Sequence, residues 1–315
     1  MDTIKICVLT EGGKNIGFGH ITRCVALYEA FKERNIEPTL IIKGDKNIVD
    51  LLKGKNYKIF NWLKEQNKLF KMLTEADIVI IDSYLANKDL YNRISGIINE
   101  KSLVMIDDYR RIKYPHGIVV NPSIYGDKLN YSQRDSSDYL LGKDYIILRK
   151  EFRETSVNKI IKKRVKDILI MSGGINHSDL MHKIINYLKN KFNFNFHIVE
   201  PNKNRFNAKE ILNLMLKADI CISGGGQTTY ELARIGIPTI GICFAENQRL
   251  NLEEWQKRGF IEYVGWYKNK GLLNRIENSI NKFMPYKKRA RFSRIGRNLV
   301  DGKGVGRIIN KLIKI

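Results

Sequence analysis

Residues 17–23, Gly17-Phe18-Gly19-His20-Ile21-Thr22-Arg23, set a histidine directly behind two glycines and an arginine about one helical turn further on. An imidazole exchanges a proton near neutral pH. Gly17 and Gly19 permit a tight turn and a close approach of backbone to ligand, and the first N–H groups of the helix that follows attract an anion. A histidine can also be a satisfied structural side chain, but the glycines and the strand-to-helix position favour proton transfer for His20. Arg23 either orients the loop or a substrate, or makes an ordinary surface ion pair.

A second constellation spans residues 223–231, Ser223-Gly224-Gly225-Gly226-Gln227-Thr228-Thr229-Tyr230-Glu231, again at a strand end opening a helix. Here Gly225, Gly226, Gln227 and Thr228 can lie against a diphosphate, and Glu231 can accept hydrogen bonds from a ribose. The plainer reading is a turn and a capped helix. Neither glycine string ends in Gly-Lys-Ser or Gly-Lys-Thr, and neither is a clean Gly-x-Gly-x-x-Gly fingerprint. Gly173 and Gly174 form a further strand-end turn, with His177 close behind as a second site residue or, more simply, a solvent-facing histidine. Asp82, Asp107 and Asp108 close two strands. They would suit Mg²⁺, although orienting His20, holding a sugar or capping the next helices is preferred, and no metal site is expected.

The elements that must position these residues alternate between strand and helix. Short apolar runs at 4–10, 38–43, 77–81 and 102–106 read as covered parallel strands, with a helix after residue 19 burying Val25, Leu27, Ala30 and Phe31. From the basic run at 159–166 the pattern begins again: strands at 168–171, 194–199, 219–222 and 238–243, helices at 178–190, 208–217 and 228–235. The expected fold class is α/β, two doubly wound Rossmann-like domains, 1–155 carrying His20 and 156–315 binding the nucleotide, with ligand at the carboxyl ends of the strands.

Composition agrees with that size and class. At 315 residues two domains are the natural expectation, and 43% apolar with 28% charged residues is a globular balance. Cys7, Cys24, Cys221 and Cys243 stand singly in apolar stretches and read as reduced thiols. No basic, apolar leader or membrane-length run is visible, so a cytoplasmic location is expected. The formal charge of +22 implies attraction to anions. The basic run 287–297 has helix-like spacing that suits a solvated face, while peripheral contact with a membrane stays open. Lys and Arg are spread along the chain without a recognition helix or RNA-binding aromatic signature, so no nucleic-acid partner is expected.

Taken together, these segments resemble the UDP-2,4-diacetamido-2,4,6-trideoxy-β-L-altropyranose hydrolases of pseudaminic acid biosynthesis, relatives of the MurG-type glycosyltransferases with the GT-B architecture. The likeness covers nearly the whole chain: residues 16–23, 78–82, 105–108, 173–174, 224–238, 246–248 and 299–302 fall in the family's order. The resemblance implies inverting cleavage of the bond between UDP and a diacetamido-trideoxy sugar, with water as nucleophile and neither metal nor cofactor. It gives His20 the catalytic role, places the diphosphate at the second glycine turn with Glu231 near the ribose, and sets Asn247 against sugar or phosphate. Two departures are visible. Thr10-Glu11-Gly12-Gly13-Lys14 stands where the family shows an acidic residue and a serine, and Asn176 where relatives often have Asp. A glycosyltransferase of the same architecture, with a membrane or glycan acceptor replacing water, is the rival reading, and a UDP-sugar 2-epimerase a third.

Overall fold

The computed structural model describes residues 4–14, 16–98, 102–131, 137–156, 159–173, 177–200 and 206–314. The chain forms two compact units, Met1–Lys150 with Lys303–Ile315, and Glu151–Gly302.

The first unit is built on a parallel seven-stranded sheet. Its strands are β1 (Ile6–Gly12), β2 (Thr39–Gly44), β3 (Tyr57–Ile59), β4 (Ile78–Asp82), β5 (Leu103–Ile106), β6 (Ile118–Asn121) and β7 (Asp138–Leu141), in the order β3-β2-β1-β4-β5-β6-β7. β1 is buried on both faces because side chains alternate: Ile6 and Val8 enter one apolar layer, Cys7 and Leu9 the other. The helix Gly19–Lys32 covers the first layer with Ile21, Cys24, Leu27 and Phe31, while Val25 packs at its margin. The helices Gln66–Leu73 and Lys88–Ser95 cover the second with Leu69, Leu73, Leu90 and Ile94.

The second unit carries a parallel five-stranded sheet of β8 (Asp167–Met171), β9 (Asn195–Val199), β10 (Ile220–Gly224), β11 (Thr239–Cys243) and β12 (Ile261–Trp266), in the order β12-β11-β10-β8-β9. Each sheet reverses its strand order once, at β1/β4 and at β8/β10, where an open α/β sheet offers its ligand crevice. All four cysteines are free and buried. Among the described residues no helix is long and apolar enough to cross a membrane.

The expected division at 155/156 differs from the structure in two respects. The first unit ends at Lys150, and residues 303–315, expected in the second domain, belong to the first. The reason is the helix Gly304–Leu312, whose Val305, Ile308, Ile309 and Leu312 form one apolar stripe buried in the same layer as Ile21 and Leu27. At its start a Cβ on Gly304 would lie 2.2 Å from the Ile146 carbonyl oxygen, so only glycine fits. Ile309→Ala is expected to cost the first unit about 2–4 kcal/mol. Hydrogen-exchange mass spectrometry would show this as faster exchange in β1 and the helix Gly19–Lys32, with protection of β8 and β10 unchanged.

Candidate active site

At the β1/β4 switch point the chain leaves β1 through a tight turn, in which Gly13 N–H donates to Gly17 O (3.0 Å) and Gly17 N–H to Gly13 O (2.8 Å). Gly17 has φ +89°, a left-handed conformation that favours glycine, and a Cβ there would meet nothing within 4 Å. The space beside Gly19 is equally open. Gly19 begins the helix, and its N-cap Phe18 supplies no side-chain cap. Among the described residues no side chain caps this helix end, which suits an anion site.

One turn inside the helix lies a buried ionic network. His20 Nδ1 is 2.7 Å from Asp82 Oδ1. Arg23 grips two carboxylates: Nε and Nη2 donate to Asp82 (2.7 and 2.6 Å), and Nη1 and Nη2 to Asp108 (2.7 and 3.1 Å). The Tyr84 hydroxyl donates to Asp108, and its ring stands edge-on to the His20 imidazole at 4.3 Å. Strand alternation explains the convergence: Asp82 follows Ile80 and Asp108 follows Ile106 on the face that the helix Gly19–Lys32 covers.

The charges fix the protonation pattern. One guanidinium faces two carboxylates, so a proton on His20 would balance the cluster. Burial works against the imidazolium, but the charge and hydrogen bond of Asp82 outweigh it, and the His20 pKa is raised. Burial also opposes ionisation of Asp82 and Asp108, yet Arg23 beside them holds both below the usual carboxylate range. Asp82 can only accept, so Nδ1 carries the hydrogen. The 3.4 Å approach of Arg23 Nη2 to that nitrogen is then a contact between two donors. In neutral His20 the lone pair is on Nε2, which has no hydrogen-bond partner among the described residues.

The other acidic residues are engaged elsewhere. Asp107 faces the opposite side of the sheet, accepting from Tyr131 OH at 2.7 Å, so the three aspartates do not converge. Glu11 is buried and accepts from the Ser83 hydroxyl and from the N–H groups of Tyr84 (2.7 Å) and Leu85 (3.1 Å). The departure at residues 10–14 thus ties β1 to the loop after β4.

In the second unit Gly173, with φ +79° and no neighbour within 4 Å of a Cβ, lies in the turn just after β8. Gly174 and Asn176 lie outside the described residues. The three glycines after Ser223 divide their roles. A Cβ on Gly224 would approach the Ser172 carbonyl to 3.0 Å and one on Gly225 would strike Leu252 at 2.6 Å, whereas beside Gly226 the nearest atom is 3.9 Å away. Gly226 and Thr228 present backbone N–H groups without a partner among the described residues, at the start of the helix Thr228–Ile235, whose N-cap is the half-buried Gln227. Glu231 is only 3% exposed and is not a free carboxylate. Asn247 is exposed on the turn Glu246–Gln248, while its neighbour Gln248 accepts from Gly225 N–H and Phe244 N–H, both at 3.1 Å. Asn251 completes the brace, donating to Gly225 O (2.8 Å) and Thr229 Oγ1 (3.0 Å).

His177 is half-buried: its ring stacks on Phe244 at 4.3 Å and borders Tyr267 in a cavity of about 360 Å³. Sequence reasoning also missed Tyr84, Gln248 and Asn251. Only Gln248 and Asn251 had a signal, as amides placed to reach a glycine turn.

Comparison with known proteins agrees with this architecture. Acinetobacter baumannii MurG has a TM-score of 0.68 at 12% identity, over 99% of this chain and all of that one. The UDP-GlcNAc 2-epimerase of Neisseria meningitidis bound to UDP-GlcNAc has 0.62 at 13% identity, over 99% of this chain and all of that one. The fold is GT-B. Among curated sequences the chain is 24% identical to the uncharacterized protein MJ1062 of Methanocaldococcus jannaschii over 81% of its length. It is 26% identical over 88% to the pseudaminic acid cytidylyltransferase and UDP-2,4-diacetamido-2,4,6-trideoxy-β-L-altropyranose hydrolase of Helicobacter pylori. It is 23% identical over 97% to the spore coat polysaccharide biosynthesis protein SpsG of Bacillus subtilis. The chain spans 59% and 54% of the first two relatives and 96% of SpsG. No family model matches it. The resemblance to the UDP-sugar hydrolases of pseudaminic acid biosynthesis therefore stands beside a GT-B fold.

Asp82→Asn removes the charge that holds the His20 proton, so burial then dominates and the imidazole pKa falls. A histidine NMR titration of parent and variant measures the drop. Arg23→Ala would leave two buried carboxylates uncompensated and is expected to cost about 3–5 kcal/mol in a urea melt.

Proposed function

We propose that the chain hydrolyses a UDP-linked diacetamido-trideoxy sugar, UDP-2,4-diacetamido-2,4,6-trideoxy-β-L-altropyranose, to UDP and the free sugar with inversion. The observation that carries this reading is His20, held by Asp82 at Nδ1 with Nε2 unoccupied beside a bare helix amino end. A water at Nε2 gives its proton to the imidazole as its oxygen attacks the anomeric carbon. The bond from that carbon to the phosphate oxygen breaks, and its electron pair leaves with UDP. Asp82 stabilises the imidazolium that forms, and Arg23 and Asp108 hold Asp82 in place. A single displacement inverts the anomeric centre. UDP is a good leaving group, and the bare N–H groups of Gly226 and Thr228, with Gly173 nearby at the switch point of the second sheet, suit its diphosphate. Glu231 is too buried for a ribose contact without rearrangement, so Gln227 and Asn247 are the better polar candidates in this unit.

A transferase of the same fold, using a UDP-sugar donor and a glycan or membrane acceptor, is the second reading. It draws on the near full-length match to SpsG.

The test is UDP release from the proposed substrate in EDTA without acceptor, followed by proton NMR of the sugar. Release with the inverted anomer, lost at least about a hundredfold in His20→Ala with UDP binding kept, is the expected result. UDP binding without release would favour the transferase. Since the base must be neutral and its pKa is raised, the acid limb of the free enzyme's kcat/KM is expected above pH ~6.5.

A further inference from the structure

Although Lys and Arg occur along the whole chain, much of the formal net charge of +22 gathers in two stretches. Residues 159–166 contain five lysines and arginines, the helix Tyr286–Leu299 contains six, and neither has an aspartate or glutamate. Half of the excess charge therefore belongs to two short stretches, and they run side by side. Arg289 Nη1 and Nη2 donate to the Lys162 and Lys163 carbonyls, both at 2.9 Å, and Arg297 Nη1 donates to the Lys159 carbonyl at 3.3 Å.

Four of these cations serve the fold. Arg289 and Arg297 make the bonds just given, Lys159 Nζ donates to the carbonyls of Met215 (3.3 Å) and Leu216 (2.7 Å), and Lys162 pairs with Asp167 at 3.2 Å. Lys163, Arg164, Lys166, Lys287, Lys288, Arg291 and Arg294 have no carboxylate partner among the described residues, and all but the half-buried Lys288 are exposed. Apolar side chains stand among them without cover. Ile160 is 82% exposed, Tyr286 47% and Met284 41%. Residues 159–166 lead into the first residue of β8, and Lys159 closes the helix Ala208–Lys217 just before β10. The face thus lies at the amino-terminal edge of the second sheet, opposite the edge where Gly173 and Gly226 stand.

We propose that this face docks the protein on an anionic lipid surface. Unpaired cations attract the headgroups, while Ile160, Tyr286 and Met284 enter the interface. The bare aliphatic Ile160 favours lipid over nucleic acid, which is gripped by aromatic platforms interleaved with cations. Docking by this edge leaves the glycine turns of the same unit clear, and it is independent of which sugar nucleotide is used.

The test is co-sedimentation of the full chain with vesicles of phosphatidylcholine alone or with 30% phosphatidylglycerol. Binding to the anionic vesicles only, weakened by 0.5 M salt, is expected. Each cation near such a surface strengthens binding roughly fivefold, so Lys287→Glu/Arg291→Glu/Arg294→Glu should weaken it by at least about a hundredfold with an unchanged thermal melt. Lys46→Glu/Lys53→Glu/Lys71→Glu, the same charge change on the first unit, should retain most of it. Ile160→Ser should weaken it severalfold without altering the salt dependence. Equal binding by the two triple variants, or binding of homopolymer RNA without binding of vesicles, would overturn the proposal.

Discussion

Arg23 organises the first unit's ligand edge. Its guanidinium joins the end of β4 to the residue pair after β5 from a position one turn inside the helix that follows β1. Three separate chain segments are thereby fixed around one cation, and each brings a charge that could not be buried alone. His20 inherits its orientation from this arrangement. The bond that sets its tautomer ends on a carboxylate that cannot turn, because two nitrogens of Arg23 already hold it.

The two units solve the same problem with different chemistry. In the first, ion pairs hold the strand ends together beneath a bare helix start. In the second, amides do so: Gln248 and Asn251 reach across to the backbone of Gly225, and Thr229 is shared by Asn251 and Trp255. The second edge is thus braced by amides rather than by ion pairs, with the backbone N–H groups of Gly226 and Thr228 facing outward and the Glu231 carboxylate buried beneath them. Two of the three glycines after Ser223 are there because neighbours fill the space, which separates the packing requirement from the one open position at Gly226.

Much of this was legible in the sequence, for identifiable reasons. Strands covered on both faces give unbroken apolar runs, so β1, β2, β4, β5, β8, β10 and β11 could be read directly, and the part-buried edge strand β9 was also read as a strand. β3 is a short exposed edge strand, β7 starts on an exposed aspartate, β12 alternates around an irregular register, and β6, though buried, offers only three apolar residues, so none of these produces a run as long as those. His20 stood out because glycines frame it. The alliance of Arg23 with Asp82 and Asp108 did not, because partners separated by 59 and 85 positions leave no local pattern. Asp82 and Asp108 were visible as strand-end carboxylates, but which face each occupied depended on register. The same limitation hid the destination of the last helix, whose apolar stripe declares that it is buried without saying against what.

That last helix alters the order in which the protein can be made. The first unit's sheet is complete by residue 141, yet its inner layer lacks Val305, Ile308, Ile309 and Leu312 until the entire second unit has been synthesised. In a chain that emerges from its amino end, the earliest sheet therefore waits with an uncovered apolar groove over the helix Gly19–Lys32. The second unit, contiguous from 151 to 302, has no such wait. Vectorial synthesis would thus finish the second unit before the first, whose inner layer is sealed only once residues 304–312 have followed.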